Sequence, residues 1–293
     1  MIDTADAVVL ATVAKLESVL SYDGSQITTE ITLRVHESYK GAKSGDTIVL
    51  RESGGRVGGE QQWIFGSPEY GLGETVLAFV KRARDGSLRT HHLGFGKHGA
   101  EIGRDGRVWL RDVREKGTRD GGRRLLSRFV ESLPAGLARA ARVRSKGAPL
   151  EGVAQAQASF RLMDPPSRWF DAPVFVWGDL AGDRGLGAAV SKRALQGSIA
   201  AWNGAPGSSL DLSYAGEQTG QGFRCMPGRI EVSFNDPRDA LDAPAGCSSG
   251  VLAVGGFCSS GSTYGGTRYQ RILGGSVIVN DGWSSCPFWS ESN

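Results

Sequence analysis

Residues 26–35 read QITTEITLRV, and this alternation decides the fold class of the first part of the chain. One face carries Ile27, Thr29, Ile31, Leu33 and Val35. An apolar residue at every second position predicts a half-buried β-strand. Turn-rich segments separate further strand candidates at residues 7–17, 47–52, 62–65, 74–81, 88–93 and 107–111. Short strands at this spacing predict a small barrel or sandwich, and the size fits a partly open, oligonucleotide/oligosaccharide-binding (OB-like) barrel.

The composition is typical of a folded chain. Of its 293 residues, 40% are hydrophobic and 22% are charged, so the chain can bury a sizeable core. The 43 glycines follow no period and favour many turns. No apolar run approaches the ~20 residues of a membrane-spanning helix, so we predict no membrane span.

Basic charge is concentrated in the middle of the chain. The net charge is +3, but residues 104–150 carry 13 basic and 5 acidic side chains, a net of +8. Residues 123–133 predict a short amphipathic helix, which Pro134 ends. We interpret residues 134–157 as a basic linker between domains at 1–133 and 158–293. Nucleic-acid binding is the alternative, but the basic residues lack interleaved aromatic residues, so no nucleic-acid partner is expected.

The cysteines all lie in the last third of the chain, at Cys225, Cys247, Cys258 and Cys286. Their even number and the lack of a Cys-x-x-Cys pair favour two disulfides in a secreted or extracellular protein. Four free thiols in a cytosolic protein are the alternative. Three pairings are possible, and the sequence does not choose between them.

The four histidines all lie in the first third, and His91 and His92 are adjacent. Neighbouring residues of a strand point to opposite faces. We therefore predict two ordinary, half-exposed histidines here rather than a metal site.

The last segment predicts a mixed sheet with one long helix. Residues 173–178 (PVFVWG) favour a strand, and residues 186–202 carry apolar side chains at helical spacing. Strand candidates follow at residues 210–214, 229–235, 251–254 and 276–280. The whole chain is thus predicted to be α+β, with a small barrel followed by a mixed α/β sheet.

Two resemblances refine this prediction. In the first segment, ADAVVLATV, ITLRVHESYKG, GDTIVLRESGG, GETVLAFVKR and GFGKHG resemble the netrin-like, tissue-inhibitor-like barrel. Inhibitors of that family place a disulfide-bonded N-terminal cysteine at a protease zinc. This segment has no cysteine, so the resemblance does not imply that chemistry here.

The second segment resembles a matrixin-like metzincin protease. The ordered landmarks are FRLMDPPSRWFDAPVFVWGD, IAAWNG, LDLSYAG, GRIEVSFNDP, GVLAVGGFC and GGSVIVNDGW, within about residues 160–293. The resemblance implies a strand, a long helix, two parallel strands, an antiparallel edge strand and a final strand. It also implies that a peptide substrate pairs with the edge strand at Leu252, Ala253, Val254 and Gly255.

The family's metal sites are missing from this sequence. The family binds catalytic zinc through His-Glu-x-x-His-x-x-Gly-x-x-His, whereas residues 158–293 contain no histidine. Family histidines that hold a structural zinc align with Val254 and Ile278. We therefore expect no catalytic residue, no metal ligand and no cofactor in this chain, with zinc expected only if the sequence continues past Asn293.

Our interpretation is an exported zinc metalloendopeptidase-like protein that ends before its zinc helix and is inactive as given. Its partner would be a peptide or protein substrate. A natural, degenerate relative without activity is the alternative explanation of the missing helix. A non-catalytic extracellular binding or adhesion module of the same build is the alternative function.

Overall fold

A computed structural model describes residues 4–103, 105, 107–111, 123–126, 128–129, 163, 165–207, 209–244, 247, 250–283 and 286. The predicted linker at residues 134–157 and most of the predicted helix at 123–133 lie outside these residues.

Ten strands are found among the described residues of the first part of the chain. They are β1 (Ala7–Leu20), β2 (Ile27–Lys40), β3 (Thr47–Ser53), β4 (Gly55–Val57), β5 (Glu60–Ile64), β6 (Thr75–Arg82), β7 (Leu88–Thr90), β8 (Lys97–Ile102), β9 (Val108–Arg111) and β10 (Arg123–Leu125). A 3-10 turn follows β7 at Leu93–Gly96. Five strands close into a barrel in the order β1-β2-β3-β7-β6, because β6 also pairs with β1. Strands β8, β9 and β10 extend the sheet beyond β6.

The alternation of residues 26–35 builds the inside of this barrel. Ile31, Leu33 and Val35 of β2 are buried and pack with apolar residues of β1, β3 and β6. The predicted strand is therefore confirmed, and its polar face turns away from this core. A second apolar cluster, which includes Leu10 and Phe79, covers the opposite face of β1 and β6.

The described residues of the second part form a mixed sheet and one helix. Its elements are β11 (Ser167–Arg168), β12 (Val174–Asp179), α1 (Gly187–Asn203), β13 (Leu212–Gln218), β14 (Arg229–Ser233), β15 (Ala253–Tyr264) and β16 (Thr267–Val279). The strand order is β13-β12-β14-β16-β15. Strands β12, β13, β14 and β16 run parallel, and β15 is antiparallel to β16. Ile199 of α1 packs in one apolar cluster with Val174, Val176 and Leu212.

Strands β15 and β16 are longer than the sequence predicts. Their ladder runs from Ala253–Val279 to Tyr264–Thr267. The residues between the two predicted strands are rich in glycine, which is depleted in strands. The hairpin forms because Gly265 and Gly266 both adopt positive φ, at 55° and 81°, as a two-residue turn of this kind requires.

The two parts share one sheet. Strand β5, from the first part, pairs with β15, and β4 pairs with β5, so the second sheet continues as β15-β5-β4. The strand predicted at residues 62–65 therefore forms, as part of β5, but it pairs with the second sheet and not with the barrel predicted for residues 1–133. Ile64 explains this placement, because its side chain is buried in an apolar cluster of the second part with Phe223, Leu241, Val254 and Ile278.

The helix predicted at residues 123–133 begins three residues later than the sequence predicts. Arg123–Leu125 form β10, which pairs antiparallel with β9 and gives the exposed edge of β9 a partner. Helical backbone begins only at Leu126. No helix among the described residues is both long enough and apolar enough to cross a membrane.

Candidate functional site

The predicted substrate-binding residues lie at the start of β15. Leu252 precedes the strand and its side chain is exposed, whereas Val254 is buried. The carbonyl of Leu252 accepts a hydrogen bond from the backbone amide of Asn280, at 2.9 Å. This bond ties the beginning of β15 to the end of β16.

Hydrogen bonds join the segments GVLAVGGFC and GGSVIVNDGW near the start of β15. The side-chain amide of Asn280 donates to the carbonyls of Val251, at 2.8 Å, and Asp242, at 2.9 Å. The indole Nε1 of Trp283 also donates to the Val251 carbonyl, at 3.0 Å. The turn that leads into β15 is therefore fixed by the residues that follow β16.

Beyond Gly255, the outer edge of β15 is covered by β5. The antiparallel ladder joins Gly256 with Ile64, Phe257 with Trp63 and, at its far end, Ser260 with Glu60. The amide of Phe65 donates to the carbonyl of Gly255, at 3.0 Å. The predicted substrate-binding quartet is Leu252, Ala253, Val254 and Gly255. It thus lies directly beside a stretch of β15 that already has β5 as its partner strand.

Gly256 permits this pairing. A Cβ atom at this position would lie 2.6 Å from the Trp63 carbonyl oxygen and 2.6 Å from Cδ1 of Ile64. Glycine inside a strand often marks the close approach of another backbone. Gly256 is therefore the sequence signal that could have indicated a partner strand on the outer edge of β15.

The two positions that the sequence resemblance aligns with structural-zinc histidines carry apolar residues. Val254 and Ile278 are directly opposed across β15 and β16. Both side chains are buried in the cluster that also holds Ile64. Packing rather than metal ligation therefore joins the two strands at this point.

A polar cluster of the buried His91 with the partly buried His92 and Asp242 joins the two parts of the chain. Nδ1 of His91 lies 2.9 Å from Oδ1 of Asp242, without the alignment of a hydrogen bond, and Nδ1 of His92 lies 3.6 Å from Oδ2. The backbone amide of His92 donates to Oδ2. His91 is only 1% exposed, so the prediction of two half-exposed histidines is wrong for His91.

The backbone explains why both imidazoles reach one carboxylate. Strand β7 ends at Thr90, and His92 and Leu93 adopt positive φ, at 56° and 55°. This left-handed turn ends the alternation on which the prediction depended. The two imidazole rings are tilted by 32° to each other, with centroids 3.9 Å apart.

The electrostatics favour an ionised Asp242. Burial raises the pKa of its carboxyl, but the contacts and charge of His91 and the amide of His92 outweigh burial and hold the pKa well below 3.8. Burial lowers the pKa of His92 below 6.5, and the charge of His91 adds to that effect. The cluster therefore combines a carboxylate with a neutral His92 at neutral pH.

Two imidazoles and a carboxylate are also ligand types that zinc accepts. Among the described residues, these three bring their ligand atoms within 4.8 Å of one another. The ammonium of Lys81 lies 3.1 Å from Oδ1 of Asp242, and Oδ2 accepts the His92 amide. A cation would have to compete with Lys81, so the contacts describe a junction between the two parts better than a metal centre.

All four cysteines are paired. Cys225 bonds to Cys258, with Cα atoms 5.7 Å apart, and Cys247 bonds to Cys286, at 5.4 Å. The prediction of two disulfides is confirmed. The first bond ties the segment before β14 to the part of β15 that β5 covers, and Cys225 also donates its amide to the Ser25 carbonyl of the barrel.

No protein-family model, curated protein or solved structure matches this chain.

Proposed function

We propose that the second part of the chain is the peptide-binding sheet of an exported, matrixin-like zinc endopeptidase. The observation that carries the proposal is the strand order β13-β12-β14-β16-β15 with β15 antiparallel. Along the chain, β12, the helix α1, the parallel strands β13 and β14, the antiparallel β15 and the final β16 follow the order that the sequence resemblance implies. The resemblance also implies that β15 is an edge strand, whereas β5 pairs with it over Gly256–Ser260. The mutual contacts of Asn280, Val251 and Trp283 also support the alignment of the landmarks.

The proposed substrate is an extended peptide. An exposed strand edge offers a row of backbone donors and acceptors, and a peptide that adds a strand there gains affinity from main-chain hydrogen bonds. Sequence preference comes from pockets for alternate side chains. In this protein the edge in question is that of residues 252–255, where the carbonyls of Leu252 and Gly255 already accept the amides of Asn280 and Phe65.

The residues of this segment do not fit the family's zinc site. Residues 158–293 contain no histidine, and Asp236, Asp239 and Asp242 are engaged in contacts within the protein. Asp236 accepts the amide of Leu241, and Asp239 accepts the amide of Arg84. We therefore propose peptide binding without hydrolysis for this chain alone, and we derive no zinc-dependent step.

A non-catalytic extracellular binding module is the second candidate. The two disulfides favour export, and the absence of histidine in residues 158–293 favours a role without hydrolysis. Both candidates place the ligand on β15. They differ in whether the chain acquires zinc and cleaves peptides when the zinc-binding motif is supplied.

Peptide binding at the edge strand is tested directly by amide hydrogen exchange. The probe is a capped eight-residue peptide of alternating apolar and polar residues. Protection that appears at residues 252–255 on addition of the peptide supports the proposal. Binding that protects only amides elsewhere in the described residues, or no binding at millimolar peptide, would contradict it.

A further inference from the structure

We propose that the β4–β5 hairpin is an internal competitor that occupies part of the peptide-binding edge of β15. The inference rests on the proposed function, because it concerns regulation of the same edge. It states that an extended peptide can continue past Gly255 along β15 only after the hairpin has moved away.

The hairpin and an extended peptide would use the same backbone groups of β15, so they cannot bind there together. Each residue of β15 has one amide and one carbonyl, and the ladder with β16 occupies its other edge over the full length of the strand. The outer edge from Gly256 to Ser260 is paired with β5, in the antiparallel sense. The Phe65 amide bonds to Gly255, so the hairpin reaches the last residue of the predicted quartet.

The hairpin is held at two independent points. Ile64 is 5% exposed and packs into the second part of the chain. Gln62 is 3% exposed, and its Oε1 accepts the amide of Ile27 in the barrel, at 2.7 Å. One anchor thus belongs to the sheet that the hairpin covers, and the other belongs to the barrel from which it extends.

Tethering makes the hairpin an effective competitor. A strand in the same chain acts at an effective concentration in the millimolar range or above. The apparent Kd of a peptide in solution is therefore its intrinsic Kd divided by the fraction of molecules in which the edge of β15 is open. Weakening either anchor raises that fraction without changing any residue of β15.

The test uses the strand's own sequence as the probe. A fluorescein-labelled peptide GEQQWIFG, which corresponds to residues 59–66, is titrated into the complete 293-residue chain. We expect Ile64→Ala to bind this peptide at least tenfold more tightly than the wild-type protein. The matched control is Leu72→Ala, because Leu72 is 72% exposed in the barrel part of the chain, and it should bind like wild type.

A second variant keeps the test decisive if Ile64→Ala fails to fold. Gln62→Ala leaves the apolar cluster intact and removes the anchor to the barrel, and it should also tighten peptide binding and speed amide exchange at residues 256–260. Wild-type affinity in every folded variant, or tight binding already in the wild-type protein, would overturn the inference.

Failure of the proposed function gives a different result. The labelled peptide requires neither zinc nor cleavage, so its binding reports only on release of the hairpin. If Ile64→Ala binds it tightly but an unrelated alternating octapeptide cannot displace it, the edge is released yet does not accept general peptides. That result would contradict the proposed function and leave the hairpin's occupancy of β15 intact.

Discussion

The substitution Gly256→Ala should weaken the junction between β5 and β15. The new Cβ would lie 2.6 Å from the Trp63 carbonyl oxygen. That oxygen belongs to the backbone, so the strands must separate rather than a side chain rotate. Overpacking of this kind costs about 1–3 kcal/mol. For a chain of this size, each kcal/mol lowers the melting temperature by roughly 2–4 °C, so we expect a loss of roughly 2–12 °C.

Gly261→Ala is the matched control. Gly261 lies in the same strand, and a Cβ there would have no heavy atom within 4 Å. Any gain from a stiffer unfolded chain, about 0.4–1 kcal/mol for glycine to alanine, is common to both variants. Thermal melts followed by circular dichroism and amide exchange of residues 60–64 give the comparison. The reasoning is refuted if Gly256→Ala melts within about 1 °C of Gly261→Ala and the amides of β5 are equally protected from exchange in both variants.

Three further predictions concern the junction between the two parts and the Cys225–Cys258 disulfide. Asp242→Asn should lower stability by about 3 kcal/mol at pH 7, because it removes the partner of buried groups. Since the pKa of Asp242 is lowered on folding, its contribution is present above pH 3.8 and is lost as pH falls further, so urea melts should show the difference shrinking in acid. The lowered pKa of His92 should also cost stability as pH falls below 6.5, and a flat profile between pH 7 and 5 would contradict this. Replacing Cys225 and Cys258 by serine should cost about 2–4 kcal/mol, measured by the same melts, whereas an unchanged midpoint would argue against a structural role.

The regular elements could be predicted from local patterns. The alternation of residues 26–35 predicts β2 because one face of that strand lies in a closed core. The helix predicted at 186–202 corresponds to α1 (Gly187–Asn203) for a similar reason. Where glycine and serine dominate, as in β15, local propensity is weak, and the strand forms because β16 and β5 pair with both of its edges.

The contacts between the two parts could not be predicted in this way. His91 and Asp242 are separated by about 150 residues and meet only because β7 ends in a left-handed turn. The sequence predicts β5 as a strand but places it in the barrel, which is wrong. Its placement depends on the apolar cluster around Ile64, whose other buried members come from four separate segments of the second part.

The most direct test of the central claim measures zinc and peptide cleavage together. The 293-residue chain is compared with the same chain followed by a segment that contains His-Glu-x-x-His-x-x-Gly-x-x-His, using elemental analysis and a quenched fluorescent peptide. We predict neither stoichiometric zinc nor cleavage for the first protein, and both for the second. Stoichiometric zinc with cleavage by the 293-residue chain, or neither property in the longer chain, would contradict the proposal that this sheet belongs to a zinc endopeptidase.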